Sequence, residues 1–128
     1  MRLLLDTHAL IWWLLGDASL SAAALSAIAD PANDVFVSAA SAWEISTKYR
    51  IGKLPNAATL AADVAGIVSA QGFGELPISI RHGQIAGNLP RIHKDPFDRM
   101  LIAQAVAADM TLVSNEALFN AYGVARLW

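Results

Sequence analysis

The stretch LLLDTHALIWWLL, residues 3–15, changes character at its fourth residue. Three leucines in succession indicate a short strand that is buried on both faces, as strands of parallel sheets are. The residues that follow Asp6 have the apolar content of a helix that packs closely against such a sheet. A strand followed directly by a helix is the first half of a β–α–β unit, so this stretch predicts an α/β fold.

The same arrangement recurs twice further along the chain. The apolar runs VFV at 35–37 and TLV at 111–113 are each followed by a helical pattern, at 39–51 and 115–122. Weaker strands are predicted near 75–78 and 124–128, and further helices at 21–29, 59–71, 79–87 and 96–109. Because β–α–β crossovers are right-handed, we predict a three-layer α/β/α fold with a central parallel sheet of four to five strands.

Composition limits the class of protein. A length of 128 residues suits a single domain, 1–128, and a hydrophobic fraction of 55% places it on the apolar side of globular proteins. The absence of cysteine excludes disulfides, cysteine zinc sites and thiol catalysis. Asp6 and His8 interrupt the apolar start, and no segment offers the roughly 18 apolar residues of a membrane span. We therefore expect a cytoplasmic protein that does not contact a membrane.

The basic residues are unevenly spread along the chain. A formal net charge of −2 argues against a general nucleic-acid coat. Six of the nine lysines and arginines nevertheless fall in two short windows, Lys48, Arg50 and Lys53 in one and Arg91, Lys94 and Arg99 in the other. Each window is either solvated surface or a local rim that binds phosphate.

Acidic residues are predicted to meet at one edge of the sheet. Ligands of open parallel sheets bind beyond the carboxyl ends of the strands. Asp6 follows the first strand directly, Glu44 lies in the helix after the second, and Glu116 follows the third. Asp98, near the start of its own helix, faces the same rim. Four acids from four separate segments would then converge.

Local structure offers another explanation for some of these residues. In HKDPFDRMLIAQAVAADM, residues 93–110, Asp95 is typical of a helix N-cap, Pro96 of the first helical position, and Asp98 of the acid in a capping box. Glu44 and Lys48 have the spacing of a helical ion pair. Capping and pairing do not, however, account for all four acids at once.

A cluster of carboxylates requires positive charge, because mutual repulsion and lost hydration oppose it. Oxygen ligands without cysteine or clustered histidine favour the hard cations Mg²⁺ and Mn²⁺. Such ions leave coordination positions open to a phosphate and a water molecule. The chemistry that this set of ligands favours is metal-assisted phosphodiester hydrolysis.

Four stretches, in order, resemble the successive motifs of PIN-domain ribonucleases, specifically the VapC-like toxins of bacterial toxin–antitoxin pairs. They are LLLDTHALIWWL, SAASAWEISTKYRIGKL, HKDPFDRMLIAQA and TLVSNEALFNAYGV, and they cover practically the whole chain. The resemblance implies a Mg²⁺- or Mn²⁺-dependent endoribonuclease whose catalytic, metal-binding acids are Asp6, Glu44, Asp98 and Glu116. It also implies an RNA substrate, a homodimer, and a cognate antitoxin that inserts a peptide near the active site.

The fourth acid departs from the family pattern, in which this position is usually Asp. The additional methylene of Glu116 moves its carboxylate by roughly 1.5 Å, the length of one carbon–carbon bond, and is expected to weaken or relocate a second metal ion. The alternative function is therefore a catalytically impaired PIN-like module that binds RNA or protein without cutting it.

Substrate contacts are predicted at Ser114, Lys48, Arg99 and Lys94. Ser114 is suited to hold a metal-bound water or a phosphate, or else caps the end of a strand. Two other acid-cluster folds are disfavoured by single positions. A receiver domain needs a lysine where Ser114-Asn115-Glu116 stands, and a haloacid-dehalogenase phosphatase needs an aspartate where His8 stands.

Overall fold

Five parallel strands form one sheet in the computed structural model, which describes residues 1–128. The strands are β1 (Arg2–Leu5), β2 (Asp34–Ser38), β3 (Gly74–Leu76), β4 (Thr111–Val113) and β5 (Arg126–Leu127). Their order across the sheet is β3-β2-β1-β4-β5, and every neighbouring pair is parallel. The predicted α/β fold with a parallel sheet is confirmed, and the LLL run forms its central strand.

Seven helices flank the sheet. They are α1 (Thr7–Leu15), α2 (Ala22–Ala29), α3 (Ala39–Arg50), α4 (Ala58–Ala62), α5 (Val64–Ala70), α6 (Ile80–Asn88) and α7 (Pro96–Ala108). Two 3₁₀ segments, Pro55–Ala57 and Ala117–Tyr122, complete the regular structure. None of the helices combines the length and the apolar character that crossing a bilayer requires.

The side chains of β1 divide the interior into two cores. Leu3 and Leu5 pack with residues of α1 to α5 on one face of the sheet, whereas Leu4 packs with α7 and the segment Ala117–Tyr122 on the other. Successive residues of a strand point to opposite faces, so one short run supplies both cores. All three leucines have no exposed surface, whereas Arg2, at the start of the strand, is exposed.

Two predicted helices differ from the observed elements. The helix predicted at 59–71 is wrong as a single element, because it is divided at Asp63, where the backbone is extended (φ −157°, ψ 78°) and the carboxylate accepts a hydrogen bond from Gly66 N to begin α5. The alanine-rich composition hid this interruption. The helix predicted at 115–122 is instead a 3₁₀ segment, which begins only at Ala117.

Gln104 of α7 forms hydrogen bonds to β2 and to the chain that follows β3. It is completely buried on α7, where its Oε1 accepts a hydrogen bond from Ser38 at the end of β2 and its Nε2 donates to the carbonyl of Pro77 at 3.2 Å. Ser38 in turn caps α3 by accepting from Ala40 N at 3.0 Å. One amide therefore connects α7, β2 and the chain that follows β3.

We expect Gln104→Leu to lower the free energy of unfolding by about 1–3 kcal/mol, since it preserves volume but leaves the Ser38 hydroxyl hydrogen without its acceptor and the Pro77 carbonyl without its donor. Urea denaturation measures this change. Gln71→Leu is the matched control, because it removes the exposed hydrogen bond that Gln71 accepts from Trp13 and should change stability by less than about 0.5 kcal/mol. Equal effects of the two variants would contradict the structural role of Gln104.

Candidate active site

The carboxyl ends of the central strands open on a polar cavity of about 290 Å³, here called the acidic cavity. Its lining is Asp6, Thr7, His8, Trp12, Glu44, Lys48, Asp95, Asp98, Asn115 and Glu116. The structure thus brings all four acids singled out from the sequence to one place, together with Lys48. Ser114 lies buried beside it, whereas Lys94 and Arg99 line a different pocket.

Asp6 enters the cavity because its backbone continues β1 into α1. Its main-chain N–H donates to Val113 O at 3.0 Å, and its side chain caps α1 by accepting from Ala9 N at 2.7 Å. Only 6% of the residue is exposed. This burial raises the pKa of the Asp6 carboxyl above its ordinary value, although hydrogen bonds from Ser114 and Ala9 act in the opposite direction.

Glu44 is held on the buried face of α3 by two partners. Thr7 Oγ1 donates to its Oε1 at 2.5 Å and lies 3.1 Å from Ser41 Oγ, while Lys48 forms an ion pair with the other carboxylate oxygen. Partial burial acts to lower the pKa of Lys48, but the carboxylates of Glu44, Asp95 and Asp98 outweigh it and the pKa is raised. Lys48 therefore carries a firmly held positive charge at the cavity wall.

Asp98 occupies the first turn of α7, which begins at the N-cap Asp95 and at Pro96. The predicted cap is confirmed, because Asp95 Oδ1 accepts from Phe97 N at 2.8 Å. Burial and the neighbouring Asp95 charge raise the pKa of Asp98 to about 7, while His93 acts in the opposite direction. More distant contributions from Glu44 and Asp6 raise it further, which shows that the three acids share one electrostatic environment.

Glu116 is placed differently from the other three acids. It is exposed, and its Oε1 accepts from Leu118 N at 3.1 Å, which caps the segment Ala117–Tyr122. Its own backbone N–H donates to Ser114 Oγ at 3.0 Å. Glu116, whose side chain is one methylene longer than that of Asp, thus lines the rim of the cavity and also caps the 3₁₀ segment.

The ligand set fits a hydrated hard cation. No three histidine, aspartate or glutamate groups are gathered closely enough to bind one ion together. Mg²⁺, however, is usually bound through only one or two carboxylates and keeps several waters, and the acidic cavity has oxygen donors and the space for them. Burial, followed by the charge of Asp95, raises the pKa of Asp98, so a bound cation would favour its ionised form. The residues that could hold such a cation are Asp6, Glu44 and Asp98.

A second pocket, here called the basic pocket, has a volume of about 370 Å³ and is lined by Gly87, Leu89, Arg91, His93, Lys94 and Arg99. Arg91 and Lys94 are exposed in it. The guanidinium of Arg99 instead donates to four main-chain carbonyls, those of Ala86, Leu89, Pro90 and His93. Arg99 is therefore occupied with the backbone, and Arg91 and Lys94 are the cations that face solvent.

Residues 3–124 match the family described as PIN domain. The chain belongs to the PIN domain family. Members of this family are typically nucleases and generally depend on metal ions. No curated protein sequence matches the chain.

Solved structures share the fold of this PIN domain. VapBC2 from Rickettsia felis bound to a promoter DNA fragment matches with a TM-score of 0.72 at 16% identity, over 98% of this chain and 97% of that one. FitAB bound to the IR36 DNA fragment matches with a TM-score of 0.67 at 20% identity, over 97% and 92%. VapBC-1 from nontypeable Haemophilus influenzae matches with a TM-score of 0.65 at 11% identity, over 98% and 96%.

Thr7 and His93 are site residues whose contacts the sequence did not reveal. Thr7 is buried directly after Asp6 and orients Glu44. A polar residue at the first position of an otherwise apolar helix was the available signal. His93 Nε2 lies 2.8 Å from Asp98 Oδ2, a contact that depends on the path of the loop before α7.

The raised pKa of Asp98 predicts how the stability of this PIN domain depends on pH. The folded pKa of Asp98, about 7, exceeds its ordinary value of 3.8, so ionisation destabilises the fold as pH rises through this interval and the penalty is complete above pH 7. In chelator-treated protein, Asp98→Asn should therefore raise the Tm by a few degrees at pH 8 and by less at pH 5. Thermal melts at both pH values test this.

Asp34→Asn is the control for that experiment, because Asp34 is exposed at the amino end of β2 and its replacement should leave the Tm nearly unchanged at both pH values. A lower Tm for Asp98→Asn at pH 8 would mean that the carboxylate stabilises the fold without a metal ion, which is contrary to the shared repulsion inferred here.

Proposed function

We propose that this PIN domain, spanning residues 1–128, is a Mg²⁺- or Mn²⁺-dependent endoribonuclease and the toxin of a toxin–antitoxin pair. The observation that carries the proposal is the convergence of Asp6, Glu44 and Asp98 on one cavity at the carboxyl edge of the sheet. Family membership supports a nuclease activity. The acidic cavity supports the choice of a hydrolysis that requires no nucleophilic side chain.

One or two of Asp6, Glu44 and Asp98 would hold the hydrated cation, which would polarise the phosphate and lower the pKa of a water molecule when bound. The chain's own contribution is to present the carboxylates in fixed orientations. Thr7, which itself contacts Ser41, fixes Glu44 from the buried side, and the Ala9 N–H fixes Asp6. Lys48 neutralises Glu44 and, by rotating about its flexible side chain, is suited to contact a substrate phosphate.

Glu116 and Ser114 have subordinate roles in this proposal. Glu116 lies at the rim of the cavity, where its Oε1 is engaged in capping Leu118 N. Ser114 supports both acids, since its hydroxyl contacts Asp6 and accepts from Glu116 N. The competing candidate, a PIN-like module that binds RNA or protein without cutting it, rests on this displaced fourth acid.

The RNA strand is proposed to run from the acidic cavity across the basic pocket. His93 separates the two, because its ring lines the basic pocket while Nε2 approaches Asp98. Arg91 and Lys94 are then placed to contact phosphates that flank the one being cut. A strand of single-stranded RNA, rather than a wide duplex, suits pockets this small and this close together.

The antitoxin and the dimer are proposed from relatives and from the surface. The similar structures are VapBC and FitAB assemblies. On this chain Trp43 has 63% of its surface exposed, although its ring packs edge-on against Phe97 at 5.0 Å, and Ile80 has 93% exposed. Exposed apolar side chains of this size are typical of surfaces that bind another protein.

Cleavage by two variants tests the nuclease proposal. Asp98→Asn keeps the shape of the side chain and removes its charge, so single-turnover cleavage of RNA in Mn²⁺ should fall by several powers of ten while the fold remains intact. Asp95→Ala removes the helix cap, which should cost about 1 kcal/mol of stability and leave cleavage largely intact in the folded fraction. RNA binding by the wild type without any metal-dependent cleavage would instead support the module that does not cut.

The salt dependence of RNA binding tests the basic pocket. If Arg91 and Lys94 each contact a phosphate, replacing either with Ala should reduce the slope of log K against log salt by about 0.7. Arg2→Ala is the control, because Arg2 lies at the opposite, amino-terminal edge of the sheet, where it contacts Ala108 O. Fluorescence titrations at several salt concentrations measure the slopes. If Arg91→Ala and Lys94→Ala both have the slope of the wild type, neither residue contacts a phosphate of the RNA.

A further inference from the structure

The loop between α6 and α7, residues 89–95, is fastened unusually firmly for an exposed connection. Arg99 donates to carbonyls on both sides of the turn, at 2.8 Å from Ala86 O and Leu89 O, 3.0 Å from Pro90 O and 3.2 Å from His93 O. Tyr122 fastens it from the other side, since its hydroxyl donates to Pro90 O at 2.8 Å and accepts from His93 N at 2.7 Å. The backbone of His93 is therefore held from two directions.

The imidazole of His93 is fixed as well. Its Nδ1 accepts a hydrogen bond from Asp95 N at 3.3 Å, which assigns the proton of the neutral ring to Nε2. The ring packs against Phe119 with centroids 5.9 Å apart. Only 15% of the side chain is exposed, so the ring is not free to reach out to a substrate.

The Nε2 atom is left in need of an acceptor. It is fully buried, and although Asp98 Oδ2 lies 2.8 Å away, the N–H is not aligned with that oxygen and makes no other hydrogen bond. A buried donor without a partner is unfavourable, and the Asp98 carboxylate is the acceptor within reach. Once the pair is aligned, Oδ2 is the oxygen that the ring binds and Oδ1 is the oxygen that it does not bind.

We propose that His93 is the positioning residue for Asp98: its Nε2–H binds Oδ2 and so leaves Oδ1 as the atom that meets the cation. This inference rests on the proposed metal-dependent function and adds to it a residue outside the four acids. Carboxylates that bind metal ions are generally oriented by such neighbouring donors, whose loss lowers metal affinity by about 10- to 100-fold. Arg99 and Tyr122 act one step further out, by holding the loop that carries the ring.

Binding of Mn²⁺ alone, without RNA, tests the role of His93. We expect His93→Ala to raise the Kd for Mn²⁺, measured by the electron paramagnetic resonance signal of the free ion, by about 10- to 100-fold. His93→Gln should recover part of the loss, because an amide also donates to a carboxylate. His82→Ala is the matched control: His82 Nδ1 likewise accepts a backbone hydrogen bond, from Ser79 N at 3.0 Å, but lines neither the acidic cavity nor the basic pocket.

The Mn²⁺ titration distinguishes the role of His93 from the existence of the metal site. Wild-type affinity in His93→Ala, with binding lost in Asp98→Asn, overturns the role of His93 and leaves the metal site in place. Absence of Mn²⁺ binding by the wild type overturns the proposed function and this inference with it. Circular dichroism melts check that each variant is folded. If His93→Ala does not fold, His93→Leu replaces it in the titration. Wild-type affinity for Mn²⁺ in His93→Leu overturns the inference, and a raised Kd supports it.

Discussion

Burial of β1 on both faces is the constraint on which the rest of the structure depends. A strand segment covered by helices on each side has to be apolar, as Leu3, Leu4 and Leu5 are, and β1 lies at the centre of the parallel sheet. Its carboxyl end then falls between those of β2 and β4. Asp6 is the first residue after β1, and its N–H still donates a hydrogen bond to Val113 O of β4. The hydrophobic arrangement of the sheet thus sets the position of the first acid.

The site shows how a fold accommodates acids that repel one another. Three of the four carboxylates have a partner of their own: the Ala9 N–H for Asp6, Lys48 and Thr7 for Glu44, and the Leu118 N–H for Glu116. These partners compensate part of the charge, whereas burial and, to a lesser extent, the neighbouring carboxylates raise the pKa values of Asp6 and Asp98. An arrangement that is incompletely balanced without a cation is one that a cation stabilises, so the cost to the fold and the proposed function have the same origin.

The strands and most helices were predictable because their signals are local. Short apolar runs, the N-cap Asp95 and the first-turn Pro96 each act on neighbouring residues, and each appears where it was expected. Asp63 was missed because one extended residue is enough to divide a helix, and alanine-rich flanks hide it. The apolar pattern after β4 predicts a helix, whereas the structure has a 3₁₀ segment capped by Glu116.

The sequence by itself determined which residues stand at the ends of strands, since alternation of apolar runs and helices is a property of neighbours along the chain. Tertiary structure alone decided what each side chain does there. The direction of Arg99 toward four carbonyls, the contact of Thr7 with Glu44 and that of His93 with Asp98 depend on how a loop folds back and how helices are rotated. Such contacts join residues that lie a few ångströms apart in space but far apart in the sequence. The spacing of residues along the chain therefore does not predict them.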